Sequence, residues 1–138
     1  MSGPFVADCS IGIGWVHPGQ ATDLTRRLLE DAKAGATVHV PSSWHSEIAN
    51  ALLAAVRRKL MAESHRQAGL ALLGQLKVVV DHETSTVAFS TISDLALKHS
   101  LSAYDAAYLE LARRKFIPLA SRDEPLKAAA KKSGVKLL

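Results

Sequence analysis

Residues 101–123 have the sequence LSAYDAAYLELARRKFIPLASRD, which contains both of the patterns on which the fold depends. Ser102–Lys115 is predicted to be a helix, and the short apolar run Ile117–Ala120 has the length of a strand. Polar residues follow this run directly and lead to Asp123. The stretch therefore predicts a helix, then a strand, then a carboxylate close to the strand's carboxyl end.

Short apolar runs and longer segments with helical periodicity alternate along the whole chain. A capping box of Ser64 and Gln67 is predicted to open a helix that ends at Leu76. Because helices separate the strands, we expect right-handed crossovers, a mostly parallel central sheet and helices on both of its faces, which is a three-layer α/β sandwich. The predicted strands are Phe5–Cys9, Thr37–Val40, Val78–Asp81, Ile117–Ala120 and an edge strand Val135–Leu138, and the other predicted helices are Asp23–Ala34, Ser43–Met61, Thr84–His99, Ser102–Lys115 and Glu124–Lys132.

The bulk properties predict one globular domain spanning residues 1–138. Hydrophobic residues make up 48% and charged residues 22% of the chain, an ordinary balance for a soluble protein, and 138 residues are too few for two independent cores. No apolar run approaches the roughly 20 residues that cross a bilayer, and no signal peptide is predicted. The single cysteine, Cys9, has no partner for an internal disulfide. We therefore expect a cytoplasmic location without membrane association.

Four carboxylates lie where the sequence predicts a ligand site. Ligands bind at the carboxyl ends of parallel strands, where Asp8 ends the first predicted strand and Asp123 follows the fourth. Glu47 and Asp105 lie in helices among apolar neighbours. Each acid also has a structural explanation. Asp8 and Asp123 are suited to capping the helices that follow them, Glu47 to the dipole of its helix, and Asp105 to a variant capping box with Ser102.

Convergence of the four carboxylates would require a cation, because carboxylates that lie close together repel one another. Mg²⁺ and Mn²⁺ prefer hard oxygen ligands and activate water for attack on a phosphodiester, whereas the six histidines are scattered and form no zinc pattern. The net charge of +4 would place this acidic pocket in a basic surface suited to nucleic acid. Three basic clusters are candidate RNA contacts, although each is also explained as a solvated helix face: Arg57–Lys59, Arg113–Lys115 and Lys127/Lys131/Lys132.

Four motifs, in order, resemble those of the PIN-domain family and in particular its VapC-like toxins. The resemblance runs from residue 5 to the end of the chain. Cys9 stands where small residues are usual and Gly14 where a basic residue is common, which puts in doubt any contact that a side chain at position 14 would make. The motifs are Val6–Trp15 with Asp8 and Ser10, Val40–Leu52 with Glu47 and Asn50, Leu101–Tyr108 with Asp105, and Pro118–Asp123 with Ser121.

The resemblance implies a magnesium- or manganese-dependent endoribonuclease with RNA as its substrate. It also implies a homodimer and an antitoxin partner whose C-terminal segment lies across the active site. The implied catalytic and metal-binding residues are Asp8, Glu47, Asp105 and Asp123, with Ser10, Asn50 and Ser121 as their hydrogen-bonding neighbours.

Three other functions remain open at this point. A phosphate-receiver domain of similar size would need two adjacent acids after the first strand, and only Asp8 is present there. A PIN fold that serves as a non-catalytic binding module would be favoured by the loss of one of the four acids, and all four are present. A housekeeping RNA-processing nuclease would use the same chemistry, although the compact length favours the toxin.

Overall fold

A four-stranded parallel sheet lies at the centre of the computed structural model, which describes residues 3–138. The strands β1 (Phe5–Ala7), β2 (Val38–Val40), β3 (Val78–Val80) and β4 (Leu119–Ala120) lie in the order β3-β2-β1-β4. All neighbouring strands pair in parallel, and Val6 of β1 is in register with His39 on one side and Leu119 on the other. The predicted α/β fold with a parallel central sheet is confirmed.

The path of the chain reverses the strand order between β1 and β4. From β1 the chain proceeds outward to β2 and β3, and it then returns to the opposite side of β1 to form β4. Because the strand order reverses at this point, the carboxyl ends of β1 and β4 are where ligands are expected to bind in sheets of this kind. Asp8 directly follows β1 and Ser121 directly follows β4.

The helices form two layers around the sheet. In one layer α1 packs against α2, α3 and α4, and in the other α7 packs against α6, α8 and a π-helical segment. No helix within residues 3–138 is both long and apolar enough to cross a membrane. The helices are α1 (Cys9–Val16), α2 (Asp23–Lys33), α3 (Trp44–Arg57), α4 (Glu63–Gln75), α5 (Thr84–Val87), α6 (Ser93–His99), α7 (Ala103–Lys115) and α8 (Glu124–Lys132), with a 3₁₀ turn at Pro18–Gln20 and the π-helical segment at Ala88–Ile92.

Close packing of α1 on α3 positions the acids of the first two motifs. A Cβ atom at Gly12 would clash with Ile48 Cδ1 and lie 2.9 Å from Trp44 Cζ2, so glycine allows this close approach. The buried Trp44 donates a hydrogen bond from Nε1 to the backbone carbonyl of Asp8 at 3.3 Å. The first turn of α3, which carries Glu47, is thereby fixed against the end of β1.

Two predicted helices differ from the structure in their continuity or length. The predicted helix Ser43–Met61 is too long, because α3 ends at Arg57 and Lys59 adopts a left-handed conformation with φ of 59°. The predicted helix over residues 84–99 is interrupted by the π-helical segment, where the hydrogen-bond pattern changes before α6 begins. No glycine or proline in the sequence marks the early end of α3 or the interruption by the π-helical segment.

The predicted capping box of Ser64 and Gln67 is wrong. The N-cap is Ala62, two residues before the predicted N-cap Ser64, and the side chain of Ala62 makes no capping hydrogen bond. Ser64 therefore lies inside the first turn, where it cannot act as the N-cap. Gln67 instead donates a hydrogen bond to Glu63, which also pairs with Arg66.

All five predicted strands are shorter in the structure, and β4 keeps only two of its four predicted residues. The first, predicted over residues 5–9, ends at Ala7 because Asp8 caps α1. The predicted edge strand over residues 135–138 is reduced to a single parallel bridge between Leu137 and Leu119. Since β4 is only two residues long, it offers Leu119 alone for pairing, through hydrogen bonds to Lys136 and Leu138 on either side of the bridge.

Candidate active site

Asp8 is the most buried of the four predicted acids, with 2% of its surface exposed. Its Oδ1 accepts hydrogen bonds from the hydroxyl of Ser10 at 2.5 Å and from the backbone N–H of Ile11 at 3.2 Å. Its Oδ2 accepts a hydrogen bond from the hydroxyl of Ser121 at 2.5 Å. Asp8 therefore caps α1, and a serine hydroxyl orients each of its carboxylate oxygens.

The two serines also connect the ends of β1 and β4. The hydroxyl oxygen of Ser10 accepts a hydrogen bond from the backbone N–H of Arg122 at 2.9 Å, and that of Ser121 accepts one from the backbone N–H of Asp123 at 2.9 Å. Each hydroxyl thus donates to Asp8 and accepts from the loop after β4. This arrangement fixes the loop that carries Asp123 to the strand end that carries Asp8.

Arg122 strengthens the same connection. Its guanidinium donates from Nε at 3.1 Å and from Nη2 at 2.9 Å to the backbone carbonyl of Ser10, and from Nη1 at 3.2 Å to Oε1 of Gln20. These partners belong to α1 and the 3₁₀ turn that follows it. Arg122 therefore positions the loop without forming an ion pair with a predicted site acid.

Glu47 is oriented by two hydroxyl donors. Tyr108 donates a hydrogen bond to Oε2 at 2.5 Å, and Ser43 donates one to Oε1 at 3.3 Å. Burial, together with the hydrogen bond to Glu47 and its charge, raises the pKa of Tyr108, so the phenol keeps the proton that it donates. Burial and the charges of Glu47 and Asp8 raise the pKa of Cys9 to about 12, which makes this thiol a poor nucleophile at neutral pH.

Asp105 and Asp123 lie at the beginning of α7 and α8. Asp105 is half-buried in the first turn of α7, and its backbone N–H donates to the hydroxyl of the N-cap residue Ser102 at 3.1 Å. Asp123 is the N-cap of α8 and accepts a hydrogen bond on Oδ2 from the N–H of Leu126 at 3.0 Å. All four acids thus lie at the N-cap or in the first turn of a helix, where the helix dipole favours negative charge.

The four acids interact electrostatically through Asp105. Burial raises the pKa of Asp105, and the negative charges of Asp123 and Glu47 raise it further. Burial also raises the pKa of Asp8; hydrogen bonds from Ser10 and Ser121 oppose this shift, and the charge of Asp105 adds to it. The fold therefore brings all four acids into one region in which the negative charges repel one another.

In the described part of the chain, no basic side chain forms a salt bridge with these acids. Within residues 3–138, every salt bridge involves other acids, and none includes Asp8, Glu47, Asp105 or Asp123. In the same part of the chain, no three His, Cys, Asp or Glu side chains converge closely enough to enclose an ion. Mg²⁺ keeps several of its waters and is usually bound by one or two carboxylates. The all-oxygen donor set fits an ion of this type, bound partly through water.

A model of the PIN domain matches residues 5–132 of the sequence. The chain belongs to the PIN domain family. Membership in this family excludes the alternative that the chain is a phosphate-receiver domain. No curated protein matches the sequence of this PIN domain.

Solved structures with the same fold cover nearly the whole PIN domain. PAE2754 from Pyrobaculum aerophilum is 20% identical with a TM-score of 0.68, covering 99% of this chain and 90% of its own. VapBC2 from Rickettsia felis, bound to a DNA fragment from their promoter, is 13% identical with a TM-score of 0.64, covering 97% and 96%. FitAcB from Neisseria gonorrhoeae is 15% identical with a TM-score of 0.57, also covering 97% and 96%. At these identities the likeness concerns the fold.

Three further residues of the PIN domain complete the description of the site. Asn50 is exposed on α3, and its side chain makes no hydrogen bond within residues 3–138. Sequence reasoning missed Tyr108 and Arg122, which position Glu47 and the loop after β4. A signal for Tyr108 was present, since it follows Asp105 by three residues and therefore lies on the same face of α7.

The predicted basic cluster Arg113–Lys115 has two different roles. Arg114 donates hydrogen bonds to Asp81, Glu83 and Glu110, and only 26% of its side chain is exposed. Arg113 and Lys115 are exposed and form no salt bridge in the described part of the chain. Arg114 is therefore engaged in an internal network, whereas its two neighbours are available to a partner.

Proposed function

We propose that this PIN domain is an endoribonuclease that requires Mg²⁺ or Mn²⁺ and hydrolyses RNA phosphodiesters at Asp8, Glu47, Asp105 and Asp123. One observation supports this proposal above all. Asp105 is repelled by the charges of Asp8, Glu47 and Asp123 near the carboxyl ends of β1 and β4, and no basic side chain in the described residues forms a salt bridge with any of the four acids. A divalent cation would remove this repulsion, and an RNA phosphate would complete its coordination.

Each residue of the site has a distinct proposed role. A bound Mg²⁺ or Mn²⁺ would activate water and neutralise the charge that builds up on the phosphodiester. The four acids would bind this ion directly or through its waters. Ser10 and Ser121 orient Asp8, and Tyr108 orients Glu47, so the carboxylates need little reorganisation before the reaction. Asn50, one turn after Glu47, is a proposed outer contact of the site.

We also propose that the protein is the toxin half of a toxin–antitoxin pair, acts in the cytoplasm and forms a homodimer. The four motifs resemble those of VapC-like toxins, and the shared fold covers 96% of the matched chain in each of the VapBC2 and FitAcB structures. These likenesses support a protein antitoxin as the partner.

Metal dependence is tested by incubating the purified protein with a mixed-sequence RNA in EDTA and then adding Mg²⁺ or Mn²⁺. We expect no cleavage in EDTA and cleavage after the metal is added. A protein that cleaves RNA equally well in EDTA would disprove the metal-dependent mechanism. A protein that binds RNA but does not cleave it with either metal would be the non-catalytic module.

The toxin proposal is tested by inducing the chain alone and together with the product of the adjacent reading frame. We expect growth to stop when the chain is induced alone and to recover on co-expression. Normal growth with an active, folded enzyme would favour the housekeeping nuclease.

A further inference from the structure

Phe116 directly follows α7, and neither its packing nor its backbone conformation explains why a phenylalanine stands there. Its side chain is 94% exposed, so it does not pack in the core. Its backbone is left-handed, with φ of 55° and ψ of 42°, a conformation that favours glycine or asparagine. At the end of α8 a glycine, Gly134, adopts positive φ. A phenylalanine at position 116 is therefore unfavourable both for its side chain and for its backbone.

Phe116 stands between two cavities at the amino ends of the strands. The cavities have volumes of about 700 and 600 Å³, and both are lined by Phe116, Ile117, Pro118 and Lys136. Because Ile117 and Pro118 precede β4, whereas Ser121 follows it, the cavities lie at the opposite end of the sheet from the four acids. The exposed ring of Phe116 thus borders both cavities.

Unpaired cations surround this aromatic residue. Arg113 and Lys136 line the larger cavity, Arg27 and Lys136 line the smaller one, and Lys115 directly precedes Phe116. All four cations are exposed and form no salt bridge within residues 3–138.

Fewer negative charges line the same cavities. Their acidic side chains are Glu110, in the larger cavity, and Asp31, in the smaller one. Glu110 already forms a salt bridge with Arg114. The surface around Phe116 therefore has a surplus of positive charge and is complementary to a polyanion.

We propose that Phe116, Arg113, Lys115, Lys136 and Arg27 form an anchoring site for single-stranded RNA, separate from the acids. The proposal rests on RNA being the substrate of the proposed nuclease. An unpaired base would stack on the exposed ring, and the cations would contact the flanking phosphates. Single-stranded RNA is favoured over a duplex because only an unpaired base offers its face to an aromatic side chain.

The anchor predicts that the effect of Phe116 depends on the length of the RNA. The four steps along the chain from Ile117 to Ser121 span about 13 Å at the rise of an extended strand. A dinucleotide at the acids is therefore too short to reach Phe116, whereas a longer strand can occupy both places. Replacing Phe116 should weaken the binding of long RNA and leave cleavage of a dinucleotide unchanged.

Binding is measured by fluorescence anisotropy in EDTA, with the full chain and an unstructured RNA of about 20 nucleotides. We expect Phe116→Asn to weaken affinity about tenfold, the effect of losing one base–aromatic stack, and not to lower the urea midpoint, because asparagine tolerates the left-handed conformation. Phe89→Asn is the matched control, since Phe89 is 99% exposed and no Lys or Arg lies between residues 83 and 94. Lys136→Gln should reduce the slope of log affinity against log salt by about 0.7.

The outcomes separate the anchor from the active site. Unchanged RNA affinity in Phe116→Asn would overturn the anchor, and a changed sedimentation mass in that case would identify the surface as a protein interface. If affinity falls as expected but no metal supports cleavage, the anchor is supported and the proposed nuclease fails. If Asp105→Asn abolishes cleavage while Phe116→Asn binds normally, the nuclease is supported and the anchor fails.

Discussion

The hydroxyl of Tyr108 donates a hydrogen bond of 2.5 Å to Oε2 of Glu47 and thereby joins α7 to α3 at the end of the sheet where the acids lie. The two helices belong to different layers, so the contact couples the packing of both layers to the orientation of one carboxylate. Tyr108 is completely buried. The orientation of Glu47 in the proposed metal site therefore depends on Tyr108, which is not itself a proposed metal ligand.

Tyr108→Phe should weaken the binding of Mn²⁺ several-fold, because Glu47 loses the donor that orients it. The free energy of unfolding should fall by about 1 kcal/mol, since the partly buried carboxylate of Glu47 loses its hydrogen-bond donor. Tyr104→Phe is the control on the same helix, because Tyr104 is 64% exposed. Mn²⁺ titration followed by electron paramagnetic resonance, with urea unfolding, measures both effects. Equal Mn²⁺ affinity in the two variants would show that Tyr108 is only a packing residue.

Asp105→Asn should make the metal-free protein more stable at pH 7. Burial and the charges of Asp123 and Glu47 raise the pKa of Asp105 above its ordinary value of 3.8 in the folded state, so the folded protein becomes less stable as this group ionises. The advantage of the variant should therefore appear as the pH rises through the raised pKa and disappear below about 3.8. Urea unfolding in EDTA at several pH values measures it. A variant that is less stable at pH 7 would show that the carboxylate stabilises α7.

The positions of Asp8 and Asp123 at the carboxyl end of the sheet were predictable, because each acid comes shortly after a short apolar run. The contacts that orient them were not, since Ser121 and Asp8 are 113 residues apart and their meeting depends on the strand order. The parallel α/β fold could be predicted from the alternation of strands and helices along the sequence.

Other backbone features could not be predicted. The left-handed Lys59 and the π-helical segment before α6 have no glycine or proline to indicate them. Three consecutive cations could not reveal that Arg114 alone turns inward, because that depends on helix phase.

Arg114→Gln should lower the free energy of unfolding by about 2 kcal/mol or more, because it leaves the buried carboxylates of Asp81 and Glu110 without their cation. Burial acts to raise the pKa of Asp81, but hydrogen bonds from Arg114 and Thr84 outweigh it and lower the pKa below 3.8. This stabilisation is therefore complete at neutral pH and lost as the pH falls below 3.8. Arg113→Gln is the control and should leave stability unchanged. Equal urea midpoints for the two variants at pH 7 would contradict the assignment.

A cognate antitoxin should inhibit by inserting a guanidinium among the four acids. They have no basic partner within the described residues, and arginine binds carboxylates in a bidentate manner that competes with a metal ion. Inhibition by the product of the adjacent reading frame should weaken at high Mg²⁺ and when its inserted arginine is replaced by alanine. Inhibition assays across Mg²⁺ concentrations measure this competition. An inhibitor unaffected by both changes acts on another surface.

The most direct test of the account is the single-turnover cleavage rate of RNA by Asp105→Asn in the presence of Mn²⁺, measured beside Asp94→Asn. Asp94 is an exposed acid on α6 that forms no salt bridge in the described chain, so its variant controls for the loss of one negative charge. We expect Asp94→Asn to cleave at the wild-type rate and Asp105→Asn to be slower by a factor of about 100 or more, because an electrostatic group of the reaction is lost. Cleavage by folded Asp105→Asn at the wild-type rate would contradict the assignment of the four acids as the active site.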